Sequence, residues 1–331
     1  MGKNALISAM LKFHFGNAVF CSDGQGGTLV SVLFDASTKR MTQIAVKRGR
    51  LFGKTVYLPF ASVTTATGDG IWLNCTLAQL ATFPESEGPG VSLHPRTVVK
   101  GDAGSGTLGL VAVQPGSGEL AYIVARNLLP GRDTLLREQY VSALEPGQIT
   151  ISIDSARLQA LPPYRSDREL QREVDQIIFD LGFLHIDLKG MSMRVLDSVL
   201  YMEGNISSAL RGELARDQVA GVEGLLEIKN NLIGDDTLAA QIAHALGQDE
   251  RTRGLPIGVY PQLGVVRLSG SVRNAQQQAA AAEIAKKFPG VRGVINDLVI
   301  DPSAAMLYVM SAPEGGEARD ITPGKFVRHT R

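Results

Sequence analysis

The sequence predicts a mixed fold: two small all-β barrels, then two α/β modules in the order helix, strand, strand, helix, strand. Two internal repeats and the period of the apolar residues lead to it. In the first repeat Asp23, Gly27, Thr28, Leu29, Val32 and Ile44 recur as Asp102, Gly106, Thr107, Leu108, Val111 and Ile123 at an offset of 79. Ile71, Leu73, Leu80 and Pro84 recur as Ile149, Ile151, Leu158 and Pro162 at 78. In the second repeat Val199, Met202, Gly204 and Ile206 recur as Val265, Leu268, Gly270 and Val272 at 66. Short apolar runs cut by Gly and Asp turns fill the first half, which is the pattern of a small barrel or sandwich. Apolar residues at helical spacing alternate with strand-like runs in the second half.

The elements follow in order. In the first unit, 10–85, a turn at 23–27 leads to strands over 29–34, 41–46, 56–60 and 71–73. The second unit, 90–162, repeats this pattern. Pro162 and Pro163 mark a linker, because proline disfavours helix in the residue before it. Ser166 with Glu169 three residues on forms a capping box for a helix over 167–181, whose stripe is Leu170, Val174, Ile177, Ile178 and Leu181. That helix opens the third unit, 167–234. The fourth, 235–301, begins with a helix over 236–246, with Asp235 and Asp236 read as its caps. A strand at 265–268 stops at Ser269 and Gly270. Asn274 then caps a helix over 275–288, for which Ala279, Ala282, Ala285 and Phe288 are the expected buried face. Val291, Val294, Ile295, Leu298 and Ile300 supply the returning strand. In the tail, 302–331, the run Met306, Leu307, Tyr308, Val309, Met310 reads as an extra strand or a docking peptide. Residues 312–331 read as mobile or ordered only by a partner.

Composition limits the function classes. The chain has 331 residues, 44% hydrophobic and 20% charged, with net charge zero. These are globular values with room for two or more domains, and they argue against a dedicated nucleic-acid protein. No apolar run is long enough to predict a transmembrane helix. The first residues lack a clean small-residue cleavage site, so cytoplasmic location is the default expectation, with membrane-surface association left open. Cys21 and Cys75 read as buried thiols, with a disulfide also open because both fall in the same unit.

Two resemblances add to this reading. The stretch 19–46, VFCSDGQGGTLVSVLFDASTKRMTQIAV, followed by VYLPFASV, resembles the PRC-barrel family. Where that family often ends a strand with PWEDV, this chain has Pro59, Phe60, Ala61, Ser62 and Val63. The second copy has Glu138, Gln139, Tyr140, Val141 and Ser142, without the proline. The resemblance implies small β-barrels that dock to protein, RNA or membrane partners. The repeat over 167–301, with its small-residue stop after Val266 and Leu268 and its Gly293, Val294, Asn296, Leu298 ending, resembles the BON domain family. That resemblance implies phospholipid-surface binding and cell-envelope stress proteins. Neither family brings catalytic residues.

Lys39, Arg40, Lys47, Arg48, Arg50 and Lys54 form a basic stretch with no acid between Asp35 and Asp69. It is a candidate patch for phospholipid headgroups or RNA phosphates. The same residues also read as an ordinary solvated edge that blocks strand pairing. Gly104, Gly106 and Gly109 spell G-x-G-x-x-G, but the repeat equivalent at 25–30 runs from a turn into a strand, so a hairpin is expected rather than a phosphate loop. Trp72 is expected in the core. The five histidines have no metal-ligand spacing, and no nucleophile elbow, Walker loop or carboxylate pair stands out, so neither a metal, a cofactor nor an enzyme is expected. The expected function is a non-enzymatic bacterial adaptor or scaffold, with a role in stress, docking to anionic membrane or envelope surfaces or to protein partners. Two others stay open: a self-assembling structural homo-oligomer and an RNA- or ribosome-associated assembly factor.

Overall fold

The computed structural model describes residues 6–49, 53–102 and 104–303. The fold is mixed α/β, dominated by strands in several sheets. Arg50 and the run Met306, Leu307, Tyr308, Val309, Met310 lie outside the described residues.

The chain opens with β1 (Leu11–His14), β2 (Ala18–Cys21), β3 (Gly24–Asp35), β4 (Arg40–Lys47), β5 (Thr55–Pro59), β6 (Val63–Thr67) and β7 (Gly70–Leu73). A short helix, α1 (Leu77–Leu80), and β8 (Val91–Leu93) lead to β9 (Val98–Gly101), β10 (Gly104–Val113), β11 (Leu120–Leu129), β12 (Arg132–Arg137), β13 (Val141–Glu145), β14 (Gln148–Ile151) and α2 (Ser155–Ala160). These strands make two seven-stranded sheets with the same path, β5-β4-β3-β2-β7-β6 and β12-β11-β10-β9-β14-β13. Among the described residues no ladder joins β5 to β6 or β12 to β13.

The seventh strand of each sheet comes from the other repeat. β1 precedes the strands of the first sheet yet pairs antiparallel with β10 of the second, Leu11 against Val113 and Phe13 against Val111. β8 precedes the strands of the second sheet yet pairs with β3 of the first, Val91 against Phe34 and Leu93 against Val32. The two sheets thus exchange their leading strands. Their apolar faces merge into one cluster that includes Phe13, Val32, Ile44, Leu58, Val111, Ile123 and Leu136. Phe13 from β1 stands 6.5 Å from the Phe60 ring of the first repeat.

Two local details explain the composition. Gly104 and Gly106 lie in β10 itself, with no helix after them. A β-carbon at either would fall 2.4 or 2.3 Å from a carbonyl oxygen of β11, so glycine lets these strands close up. Trp72 is not in the core. β7 alternates, and Trp72 points outward, 36% exposed and stacked on Phe20.

The first α/β repeat comprises α3 (Asp167–Asp180), β15 (Met191–Leu196), β16 (Val199–Ile206), α4 (Ala209–Val219) and β17 (Glu227–Gly234). The Ser166 and Glu169 capping box is present, and Leu170, Val174 and Ile178 of α3 pack on Leu200, Met202 and Ile206 of the sheet. The second comprises α5 (Asp235–Gln248), β18 (Ile257–Gln262), β19 (Val265–Val272), α6 (Ala275–Lys286), β20 (Gly293–Asn296) and β21 (Val299–Ile300). In both, the first two strands pair antiparallel and the returning strand pairs parallel. Asn274 caps α6 by accepting the Gln277 N–H at 2.9 Å. The buried face of α6 is Ala280, Ala281, Ile284 and Ala285, while Ala279 is exposed. A strict three-residue spacing turns about 60° off a helix face at each step, so the expected stripe drifts around the cylinder. The chain divides into two compact units between Thr237 and Leu238.

Candidate docking surfaces

The described members of the basic stretch do not gather into one patch. Lys39, at positive φ in the β3–β4 turn, sends Nζ to Glu138 Oε1 at 2.9 Å and to the Val141 carbonyl at 2.6 Å. Arg40 pairs with Glu119, and Lys54 with Glu85 at 2.7 Å. Lys47 ends β4 at the far end from Arg40, seven residues of extended strand or about 23 Å away. Lys47 and Arg48 form no ion pair among the described residues. Three of the described cations are therefore neutralised locally, and Lys39 and Arg40 tie the first repeat to the second.

A polar junction holds the first α/β repeat to the sheets. Its centre is the two-residue turn Asp197 and Ser198, both at positive φ, between the paired Leu196 and Val199. That is the turn geometry whose twist matches two antiparallel strands. The buried Asp197 carboxylate lies 2.6 Å from His14 Nε2 and accepts the Gly68 N–H at 3.0 Å. Asp167, the first residue of α3, accepts the Asp197 and Ser198 amides at 2.7 and 2.8 Å. Glu227 takes both the amide and the hydroxyl of Ser8 at 2.8 Å. Arg194 pairs with Asp69. Lys12 of β1 is 1% exposed, and burial pulls its amine below the ordinary 10.5 against the opposing pull of Asp197, Glu227 and Asp167. Tyr122 and Tyr164 nearby are pushed above the usual phenol value, chiefly by burial. Asp197 and Ser198 follow a strand pattern that could have marked a tight hairpin, but no local signal names His14 and Gly68 as the partners.

The same repeat leaves an apolar corner in solvent. Phe179 at the end of α3 and Ile186 are each 65% exposed, and Phe183 and Leu188 of the following turn are exposed too. A hollow of about 200 Å³ is lined by Asp175, Ile178, Phe179, Leu188, Met191 and Met193. His185 folds back, its Nε2 2.9 Å from the Phe179 carbonyl, and Arg211 donates to the Phe183 carbonyl and to Asp187. Along the outer edge of β12 two further hollows, of about 430 and 350 Å³, share Leu135, Arg137, Gln139 and Leu226. In the second α/β repeat a shallow hollow of about 290 Å³ includes Tyr260, Val265, Arg267 and Ile295. Val265 corresponds to Val199 of the first repeat, which is fully buried. Among the described residues no cluster of three His, Cys, Asp or Glu is arranged to hold a metal. No helix among them is long and apolar enough to cross a membrane.

Residues 234–302 match the BON domain family. The resemblance read from the second α/β repeat holds for that segment. The chain is 29% identical over 121 residues to "Osmotically-inducible protein Y" of Escherichia coli (strain K12), a match that covers 33% of this chain and 60% of the relative. The chain thus spans about three fifths of the length of that relative. Among solved structures, CdsD, a structural protein of the Type III secretion system of Chlamydia trachomatis, aligns at 15% identity with a TM-score of 0.33, covering 40% of this chain and 61% of that one. A structure of the CdsD C-terminal domain aligns at 15% identity with a TM-score of 0.34, covering 41% and 66%. The BON domain carries the Tyr260 and Val265 hollow.

Proposed function

We propose that the chain is a non-enzymatic docking scaffold, in which the sheets hold the first α/β repeat and its apolar corner receives a protein partner. The observation that carries this reading is Phe179 and Leu188, exposed at a hollow that Met191 and Met193 also line, with Phe183 and Ile186 exposed in the turn between them. Large apolar side chains exposed around a hollow mark an interaction surface, and flexible methionines adapt to a partner side chain. Asp175 in its lining favours a partner with basic flanks and opposes an anionic bilayer. In this reading the modules are 10–85 and 90–162, PRC-barrel-like, then 167–234, BON-like, and 235–301. The name of the E. coli relative supports service under osmotic stress, with protein level rising on osmotic upshift as the expected sign.

The test pans the full chain against a displayed random-peptide library and, separately, pellets it with phosphatidylglycerol vesicles. The expected peptides carry an aromatic or aliphatic anchor next to Lys or Arg. Their binding should weaken about 10–100-fold in the Phe179→Ser, Ile186→Ser variant, with vesicle pelleting unmoved. Binding to vesicles alone, lost on Lys47→Gln with Arg48→Gln, would replace this reading with a lipid-surface one.

A further inference from the structure

Cys21 ends β2, and Cys75 lies just past β7. These strands are parallel neighbours, Val19 against Ile71 and Phe20 against Trp72. The contact runs on beyond the ladder, where the Ser22 N–H donates to the Cys75 carbonyl at 3.0 Å. By the ladder register Cys21 falls opposite Leu73, and Cys75, two residues on, is held to the neighbour of Cys21 by that Ser22 hydrogen bond. Both thiols are free and enclosed, 7% and 6% exposed, and Cys75 is near enough to help hold the Cys21 thiol up. Gly26 keeps the space open: a β-carbon there would stand 3.1 Å from Cys21 Sγ and 2.5 Å from Leu80.

The sheet does not need this pair. Cys21 opposes Gly24 where the β2–β3 hairpin turns, as Gly101 opposes Gly104 in the second sheet. Cys75 corresponds to Ile153 at the same offset of 78 that relates Leu73 to Ile151. The second sheet therefore follows the same path with no sulfur in either place. Beside Cys21 stands α1, a single turn of four residues, whose Leu77 and Leu80 flank the same Gly26 position.

We propose that Cys21 and Cys75 are a reversible redox pair that closes an intramolecular disulfide across β2 and the end of β7 by exchange with a low-molecular-weight disulfide. One thiolate attacks the S–S bond of the oxidant, forms a mixed disulfide and releases one reduced thiol. The second thiolate attacks the protein sulfur of that mixed disulfide, forms the Sγ–Sγ bond and releases the second. Two electrons and two protons leave the chain, and the oxidant becomes two thiols. Burial, then the neighbouring Cys75, hold the Cys21 thiol up to about 11. Thiolate is scarce near neutrality, so exchange is slow and speeds up with pH. The pair registers sustained oxidising conditions rather than brief ones.

The test equilibrates the full chain with mixtures of oxidised and reduced glutathione, then denatures it, alkylates the remaining thiols and weighs it. Both thiols should be lost together, with a mass decrease of two hydrogens, and should return in reduced glutathione. The closed form should melt roughly 5–10 °C higher. Cys75→Ser and, separately, Cys21→Ala should abolish the two-hydrogen loss, and the doubly substituted chain should melt alike in both buffers. Two alkylatable thiols persisting in oxidised glutathione at about pH 10, where far more thiolate is present than near neutrality, would overturn the proposal. So would one glutathione on each cysteine with no bond between them.

Discussion

Asp197 is enclosed at the tip of a left-handed turn, with His14 and the Gly68 amide at its carboxylate, and its charge acts on the buried Lys12. Replacing it leaves buried polar groups without their partner, which costs more than the pair itself contributes. Asp197→Ala is expected to lower stability by about 3 kcal/mol, read from the urea midpoint, and Asp197→Asn by less because the amide still accepts the Gly68 N–H. Lys12 gives a pH signature. Its folded value lies below 10.5, so between the two values the unfolded chain binds more protons and stability rises with pH. Cys21 works the other way: held up to about 11 from 9.0, it makes the folded chain bind more protons and stability fall through that window. Lys12→Met removes only the first slope. The stability of wild type minus that of this variant should rise towards pH 10.5, and a flat difference across urea melts at stepped pH would count against the buried-amine account. None of this was legible in the sequence, where Lys12 is one lysine near the start and Asp197 sits far along the chain.

At the scale of elements, legibility followed locality. Ser166 with Glu169 and Asn274 were readable because a cap and the amide it satisfies lie within one turn. The buried face of α6 was not, because Ala279 and Ala282 match Ala280 and Ala281 in chemistry and only packing on β19 and β20 decides between them. Ala281→Leu should overpack that contact and cost roughly 1–3 kcal/mol, while Ala279→Leu on the exposed side should change the denaturation midpoint little. If the two variants unfold alike, the face assigned to α6 is wrong. The apolar corner was hidden for the same reason. Phe179, Phe183 and Leu188 look like core residues in a sequence, and nothing within a few positions says that no element covers them.

At the scale of the whole molecule, the repeat offset of 79 revealed two alike sheets but not which strands complete them. β1 and β8 each occupy the same place before their repeat, and each is used by the other sheet. The basic stretch was misleading in a related way, since Lys39 and Arg40 meet Glu138 and Glu119 of the opposite repeat. This exchange makes the sheets interdependent. A fragment covering 95–163 lacks β1, so β10 loses a neighbour and the common core loses Leu11 and Phe13. Such a fragment is expected to show no cooperative melting transition alone. A fragment covering 6–94 retains β8 and the whole first sheet but leaves β1 with no strand to pair. Mixing the two should restore a cooperative transition and a complex with one copy of each fragment, because β1 then finds β10 across the break. Deleting residues 6–14 from the first fragment should abolish that rescue. Independent cooperative folding of 95–163 would show that the leading strand is dispensable, and the two sheets would then be separate bodies that merely touch.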